Sequence, residues 1–343
     1  MKKKVTLEEV ARLAQVSRAT VSRVVNDLDS VNPEYRERVL KAIEETGYRP
    51  NLAARSLVSR RSNIIGLVIP SVARTLFIDP YFPALIESIS RACNRHDYIL
   101  SLFIFHSNNE QQQIYDRALG NGLIDGLIVT VDKVDDPFIP QLIKHRFPFV
   151  YIGRPANTDR ISFVDVDNTA GAYTAVTHLL GLGYQRIAMI AAPLDTTVGV
   201  DRHAGFINAL EEHGYPVDEP LVAMGDFTQE GGYRAMKELL PYQPDAVFAA
   251  SDLMALGALQ AIRQAGLRVP QDIAIVGFDD LPPALLADPP LTTIRQPVYH
   301  TGMTAVETLI DLLDTRPDQP RHVMLPTELV VRSSCGANGN LKP

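Results

Sequence analysis

Apolar residues along this chain follow two different rhythms. Over the first 50 positions they recur at helical spacing in short blocks: Leu7, Val10, Ala11 and Ala14, then Val21, Val24 and Val25, then Tyr35, Val39, Leu40 and Ile43. Each block opens on a polar start signal. Thr6 and Glu9 have the form of a capping box, Ser17 offers a second N-cap, and Asn32 precedes a proline at the first helical position of a helix that Gly47 ends. The pattern predicts three short helices that must pack together to bury their faces.

From Ile64 the rhythm changes to short, β-rich apolar runs separated by helix-length segments. Ile64–Ile69, Tyr98–Phe103, Gly126–Val129 and Phe149–Ile152 form one series, and Arg186–Ile190, Ala246–Ala249 and Ile273–Gly277 a second. Such runs predict buried parallel strands, and the two series predict two doubly wound α/β lobes. Ligands of open parallel sheets bind beyond the carboxyl ends of the strands, so the residues just after each run are the binding candidates. Those residues are Ser71, Thr130, Arg154, Phe227 and Ser251, together with Tyr81 or Phe82 at the start of the next helix, where a ring could lie on a sugar face; core packing is an equal alternative for Phe82. Arg202 stands at a helix start where an apolar residue would suffice. With Asp279 it can form the charge-assisted hydrogen bonds that sugar hydroxyls favour.

Composition narrows the class. The chain has 343 residues, 46% of them apolar and 21% charged, which is enough for more than one buried core and excludes disorder and fibres. No apolar run approaches the roughly 18 residues of a membrane span, and Met1-Lys2-Lys3-Lys4 leads into amphipathic sequence rather than a signal core, so a cytoplasmic location is expected. Cys93 and Cys335 lack any paired spacing, which predicts packing roles and no cysteine-based metal site. Phosphate-loop, nucleophile-elbow and HExxH patterns are absent, and Gly181-Leu182-Gly183 ends a helix instead of opening one. Binding without catalysis, and without a cofactor, is therefore expected.

The net charge of −7 hides an asymmetry: residues 1–62 carry 13 Lys and Arg against 8 Asp and Glu, whereas the rest carries 20 against 32. A basic head on an acidic body suggests a polyanionic partner. On the second predicted helix Arg18, Thr20 and Arg23 lie outside the valine stripe beside the small Ala19, a face suited to base edges in a major groove, while Ser17, Ser22 and Asn26 suit phosphate oxygens. Taken alone, such a face equally describes a solvated helix.

Three segments decide between those readings. Val5–Ala11, Val16–Asn26 and Gly47–Asn51, in that order, resemble the lactose repressor (LacI/GalR) family, and the match runs nearly to the C-terminus. The resemblance implies a helix-turn-helix head over residues 1–50 whose second helix enters the major groove of double-stranded operator DNA, with Thr6, Leu7, Tyr48 and Asn51 among the contacts. Gln15 stands where the family often has glycine in the turn. The stretch Leu52–Val58 resembles the family's hinge helix. At about seven residues it is too short to be stable alone, so it folds on DNA, where Ala54 lies in the minor groove and Leu57 wedges into the central base step; packing against the body is the other reading of Leu57. Residues 51–62 are thus hinge and linker.

For the body, residues 63–336, the resemblance implies a periplasmic-binding-protein-like shape. Lobe one would comprise about 63–165 and 296–325, lobe two about 166–295 and 326–336, and 337–343 would form a tail. It places the effector pocket at the strand-end residues named above, and Gln296 at a lobe crossing where it could report closure. Ser251 replaces the family's common asparagine. The function implied is that of a homodimeric repressor released from a palindromic operator by a sugar, with maltose or another glucoside suggested by residues 151–155 and 163–168. No apolar heptads of the kind that join two dimers follow Ser334. A corepressor-dependent regulator and a sugar-binding transport protein without a DNA-reading head are the alternatives.

Overall fold

The computed structural model describes residues 5–25, 31–48, 61–69, 79–104, 122–130, 138–155 and 158–337. They divide into two compact units, residues 1–62 and 63–343. Asn26, Asn51, Ala54, Leu57 and Ser71, and with them the hinge segment, lie outside the described residues.

The first unit is three helices, α1 (Leu7–Ala14), α2 (Arg18–Val25) and α3 (Pro33–Thr46). Val10, Ala11 and Ala14 of α1, Val21 and Val24 of α2, and Val39 and Ala42 of α3 form its small core, with Val5, Leu7, Ile43 and Tyr48 packed at the edge. Thr6 caps α1 by accepting from the Glu9 amide at 3.3 Å, and Asn32 caps α3 by accepting from the Glu34 amide at 2.9 Å. The inward face expected for α3 is narrower than its apolar residues suggest: Tyr35 and Leu40 are exposed, because the two facing helices are only eight residues long and cover a single stripe of α3. Gln15 ends α1 in the left-handed conformation, φ 50° and ψ 46°, at a cost of about 1 kcal/mol relative to glycine. Arg38 steadies that turn by donating to the Gln15 carbonyl at 3.1 Å.

The second unit contains, among the described residues, two six-stranded sheets. The first sheet holds β1 (Ile64–Ile69), β2 (Ile99–Ile104), β3 (Gly126–Thr130), β4 (Phe149–Ile152), β5 (Ser162–Val166) and β11 (His322–Leu325), in the order β11-β5-β4-β3-β1-β2 and parallel throughout. Helices α4 (Tyr81–Arg95), α5 (Phe138–Lys144) and α11 (Val298–Thr315) accompany it. In the second sheet the order is β12-β10-β9-β8-β6-β7, from β6 (Ile187–Ala191), β7 (Val222–Met224), β8 (Ala246–Ala249), β9 (Ala274–Asp279), β10 (Thr292–Arg295) and β12 (Glu328–Val330); β12 alone runs antiparallel to its neighbour β10. Helices α6 (Asn168–Gly181), α7 (Thr197–Glu212), α8 (Gln229–Leu239), α9 (Asp252–Gln264) and α10 (Pro282–Leu286) belong with this sheet.

The chain therefore passes between lobes three times, after β5, between β10 and α11, and between β11 and β12. Burial makes most strands continuous apolar runs, as in Gly126–Thr130 and Ile187–Ala191, where every residue is buried. One expectation fails: β2 reads as a buried strand, yet it is an edge strand with Ile99 and Leu102 exposed. Cys93 and Cys335 are buried and free, each in the core of its lobe.

Lobe two closes tightly where α8 crosses α9. Gly232 and Gly257 bring these helices backbone to backbone, and a Cβ on Gly257 would sit 1.9 Å from the Gln229 carbonyl oxygen. Gly257→Ala is expected to lower the body's stability by about 1 to 3 kcal/mol, seen as a lower urea midpoint, because the obstacle is backbone and cannot rotate away. An unchanged midpoint would show that the crossing is looser than described.

Candidate functional site

Two surfaces carry the candidate residues. In the head, Ser17 caps α2 by accepting from the Thr20 amide at 3.0 Å, and its hydroxyl lies 2.9 Å from that of Thr20. Arg18, Ala19 and Arg23 are exposed on α2, opposite the buried Val21 and Val24; Thr20 and Ser22 are half-buried. Arg18 lies 3.2 Å from Glu8 of α1. An exposed pair of this kind contributes little and leaves the guanidinium free to exchange its partner for a guanine or a phosphate. Thr6 accepts in its cap and keeps a hydroxyl proton to donate, and Leu7 and Tyr48 pack partly on the head core. Burial pushes the Tyr48 hydroxyl up from its ordinary pKa, with Glu8 adding to the rise. The exposed face of α2 thus presents two arginine forks and small neighbours, the composition that major-groove readout requires.

The second surface lies where the lobes meet within the body. Arg202, on α7, is buried at 3% exposure. Its Nε donates to Asn168 Oδ1 at 2.9 Å, its Nη1 donates to the Ala250 carbonyl and lies 3.7 Å from Asp279 Oδ1, and its guanidinium carbon sits 3.6 Å over the Phe278 ring. Asp279 ends β9 at φ 131°, a strained conformation for a residue with a Cβ. It accepts from Gln296 Nε2 at 2.5 Å and from the Asp252 amide at 3.4 Å. Burial pushes its carboxyl up to about 7, against the pull of Arg202 and with repulsion from Asp79. Arg202 and Asp279 do lie together, and two of Arg202's five N–H donors already hold lobe two together.

Other predicted residues have mixed placements. Thr130 donates its hydroxyl to the Val68 carbonyl at 3.2 Å. Ser251 caps α9, accepting from the Met254 amide at 3.3 Å, so the shorter side chain that replaces asparagine has a structural task. Phe227 takes φ 62° and packs on the core of lobe two. Tyr81 and Phe82 meet edge to face at 5.5 Å and both pack on the core of lobe one, which favours the packing reading of Phe82. Tyr81 stays close enough to Asp165, Asp279 and Asp79 for their charges, after burial, to raise its phenol pKa. Arg154 leaves β4 through Gly153, at φ 107°, and pairs with Asp201 of α7.

Three acids escaped the strand-end rule: Asp79, Asp165 and Asp201. Asp165 could have been found, since it is an acid inside the otherwise unbroken strand β5. Its Oδ1 accepts from the Val166 amide at 2.8 Å and from Asn168 Nδ2 at 3.3 Å. Burial first, and the nearby Asp201 carboxylate as well, push its pKa up to about 7, although the Val166 amide, Arg202 and Arg154 act the other way. A carboxyl raised in the fold binds a proton there that it has lost in the unfolded chain, so its contribution to stability is fully present below about pH 4 and is lost as pH rises towards 7. Asp165→Asn is expected to flatten the pH dependence of unfolding between pH 5 and 7, by at most about 1.4 kcal/mol per pH unit. Identical slopes for the two proteins would show that the carboxyl titrates normally. Among the described residues no group of three or more His, Cys, Asp or Glu side chains is disposed to hold a metal ion, and no helix is long and apolar enough to cross a membrane.

A three-helix head of helix-turn-helix form joined in one chain to two doubly wound lobes defines a DNA-binding regulator with a periplasmic-binding-protein-like body. Residues 6–51 match the family described as bacterial regulatory proteins, lacI family, and residues 176–335 match the periplasmic binding protein-like domain. HTH-type transcriptional regulator CelR of Thermobifida fusca is 41% identical over 96% of this chain and 98% of its own. Similar solved structures include a transcriptional regulator CelR-cellobiose complex, with TM-score 0.77 and 39% identity over 96% of this chain and 99% of that one. The lac repressor dimer bound to operator and the anti-inducer ONPF has TM-score 0.84 and 29% identity over 97% and 99%. The chain belongs to the lacI family of bacterial transcriptional regulators. Its helix-turn-helix match decides against the transport-protein alternative.

Proposed function

We propose that this regulator represses transcription from a palindromic operator as a homodimer and is released by a neutral sugar. The observation that carries the sugar assignment is the charge inventory where the lobes meet. Among the described residues, Asp79, Asp165, Asp201 and Asp279 outnumber Arg154 and Arg202, so the site is rich in hydroxyl acceptors and disfavours phosphates and carboxylates. Tyr81 adds an aromatic ring and Gln296 an amide at the lobe crossing just after β10. Cellobiose in the CelR complex supports a glucoside as the first candidate, with maltose as the second.

In this reading Arg202 and Asp279 are the centre of the pocket, and Thr130, Arg154, Phe227, Ser251 and Ser71 are its margin. Arg18, Ala19, Thr20 and Arg23 read bases; Thr6, Ser17, Ser22 and Asn26 meet the backbone; Leu7, Tyr48 and Asn51 steady the docking; Ala54 and Leu57 serve the hinge over 51–62. The protein acts in the cytoplasm, without cofactor or catalysis. Titration calorimetry with cellobiose, maltose, glucose 6-phosphate and hypoxanthine tests the pocket. Heat from a neutral sugar and none from the phosphate supports it; binding of the phosphate or the purine alone overturns it.

A further inference from the structure

Arg154 and Asp201 are 47 residues apart in sequence and belong to different lobes. Arg154 follows β4 of lobe one and is delivered by the turn at Gly153; Asp201 lies on α7 of lobe two. Their contact is two-pronged: Nε meets Oδ2 at 3.2 Å and Nη2 meets Oδ1. The Asp201 side chain is only 11% exposed and that of Arg154 41%. The next residue, Arg202, turns the other way into lobe two, where Asn168 and the Ala250 carbonyl hold it. Successive residues of α7 thus serve different ends, one fixing the interior of lobe two and the other reaching across to lobe one.

We propose that the Arg154–Asp201 pair is an inter-lobe clasp that holds the body closed and sets the affinity for every effector without choosing among effectors. The proposal rests on the reading of this region as the effector pocket. A planar guanidinium gripping a carboxylate by two parallel hydrogen bonds fixes distance and angle together, which a single contact between lobes could not. Being formed across the cleft, the pair exists only in one lobe arrangement, and whatever favours that arrangement favours ligands that both lobes must touch. Arg154 is therefore a positioning residue, its fork already taken by Asp201.

The unequal burial of the two partners gives the clasp a direction that a test can read. Removing the arginine leaves Asp201, only 11% exposed, without its cation, whereas removing the Asp201 charge leaves Arg154, 41% exposed, to be solvated by water. Loss of Arg154 is the more damaging change.

The test compares full-length wild type, Arg154→Met, Asp201→Asn and the reversed pair Arg154→Asp with Asp201→Arg. Cellobiose, maltose and lactose serve as calorimetric probes, and small-angle scattering of the sugar-free proteins reports lobe opening. The expected result is that each sugar that binds wild type is weakened by the same factor, about threefold for Asp201→Asn and about tenfold for Arg154→Met, with scattering profiles expanded in the same order and the reversed pair restored on both counts. Losses that differ from sugar to sugar would make Arg154 a direct ligand and overturn the clasp, as would unchanged affinity with unchanged scattering. If wild type takes up none of the probes, the pocket reading fails, and scattering decides the clasp by itself: expansion in Arg154→Met upholds it, an unchanged profile overturns it.

Discussion

Replacing Arg202 with alanine is expected to abolish release from operator by sugar and to lower the stability of the body by about 3 to 5 kcal/mol. Both effects follow from one side chain with several partners. Its guanidinium satisfies Asn168 and the Ala250 carbonyl, stacks on Phe278 and faces Asp279, all of them buried. Truncation leaves Asp279 buried without its cation, and desolvation then keeps that carboxyl protonated and unable to accept from a sugar hydroxyl in the ionised form. Arg202→Lys restores the charge only, because an ammonium can neither reproduce the fork nor lie flat on the ring. Operator affinity without sugar is expected to stay within about threefold of wild type at 20 °C, since Arg202 is remote in sequence from the head and the DNA-reading face is untouched. Fluorescence anisotropy of labelled operator, with and without sugar, checks the first effect and urea unfolding the second. A sugar response surviving in Arg202→Ala would remove it from the pocket.

The other large effect belongs to the head. Arg18→Ala is expected to weaken specific operator binding by about 1 to 3 kcal/mol, roughly 5- to 150-fold, and to relax base preference at one position of each half-site. Arg23→Ala does the same if its fork meets a base, but weakens all sequences alike and reduces the salt slope if it meets a phosphate. The Arg18 contact with Glu8 does not oppose this role, because an exposed pair of that kind is exchanged for DNA at little cost. Head stability should not change in either variant, since neither side chain enters the core around Val10, Val21 and Val39. Unchanged affinity for both operator and random DNA in the double variant would mean that α2 is not the reader.

How much of this was legible before the structure depended on how local each signal is. Helix starts in the head are written in single residues, and Thr6, Ser17 and Asn32 each accept the amide that their position predicts. Most strands of the body were legible as apolar runs because both faces are buried. The edge strand β2 misled for the same reason: its composition resembles a central strand, and only topology puts it last in the sheet. Likewise Leu40 keeps the helical period of α3 but meets no partner, because burial depends on how long the facing helices are. In the pocket, Asp279 stood out as a charge at a strand end and Arg202 as a charge expected at a helix start, although it lies in the second turn of α7, whereas Asp201 was hidden beside a more conspicuous neighbour. The Arg154–Asp201 pair could not be read at all, since it joins two lobes through no sequence spacing.

The most direct measurement is selection of duplexes from a random DNA pool by the purified full-length protein at fixed salt, with and without a mixture of neutral sugars. An inducible repressor enriches one palindrome, and the sugars remove that enrichment. Enrichment that appears only when a small molecule is added would make the regulator corepressor-dependent, and no enrichment under either condition would contradict a sequence-specific head released by sugar.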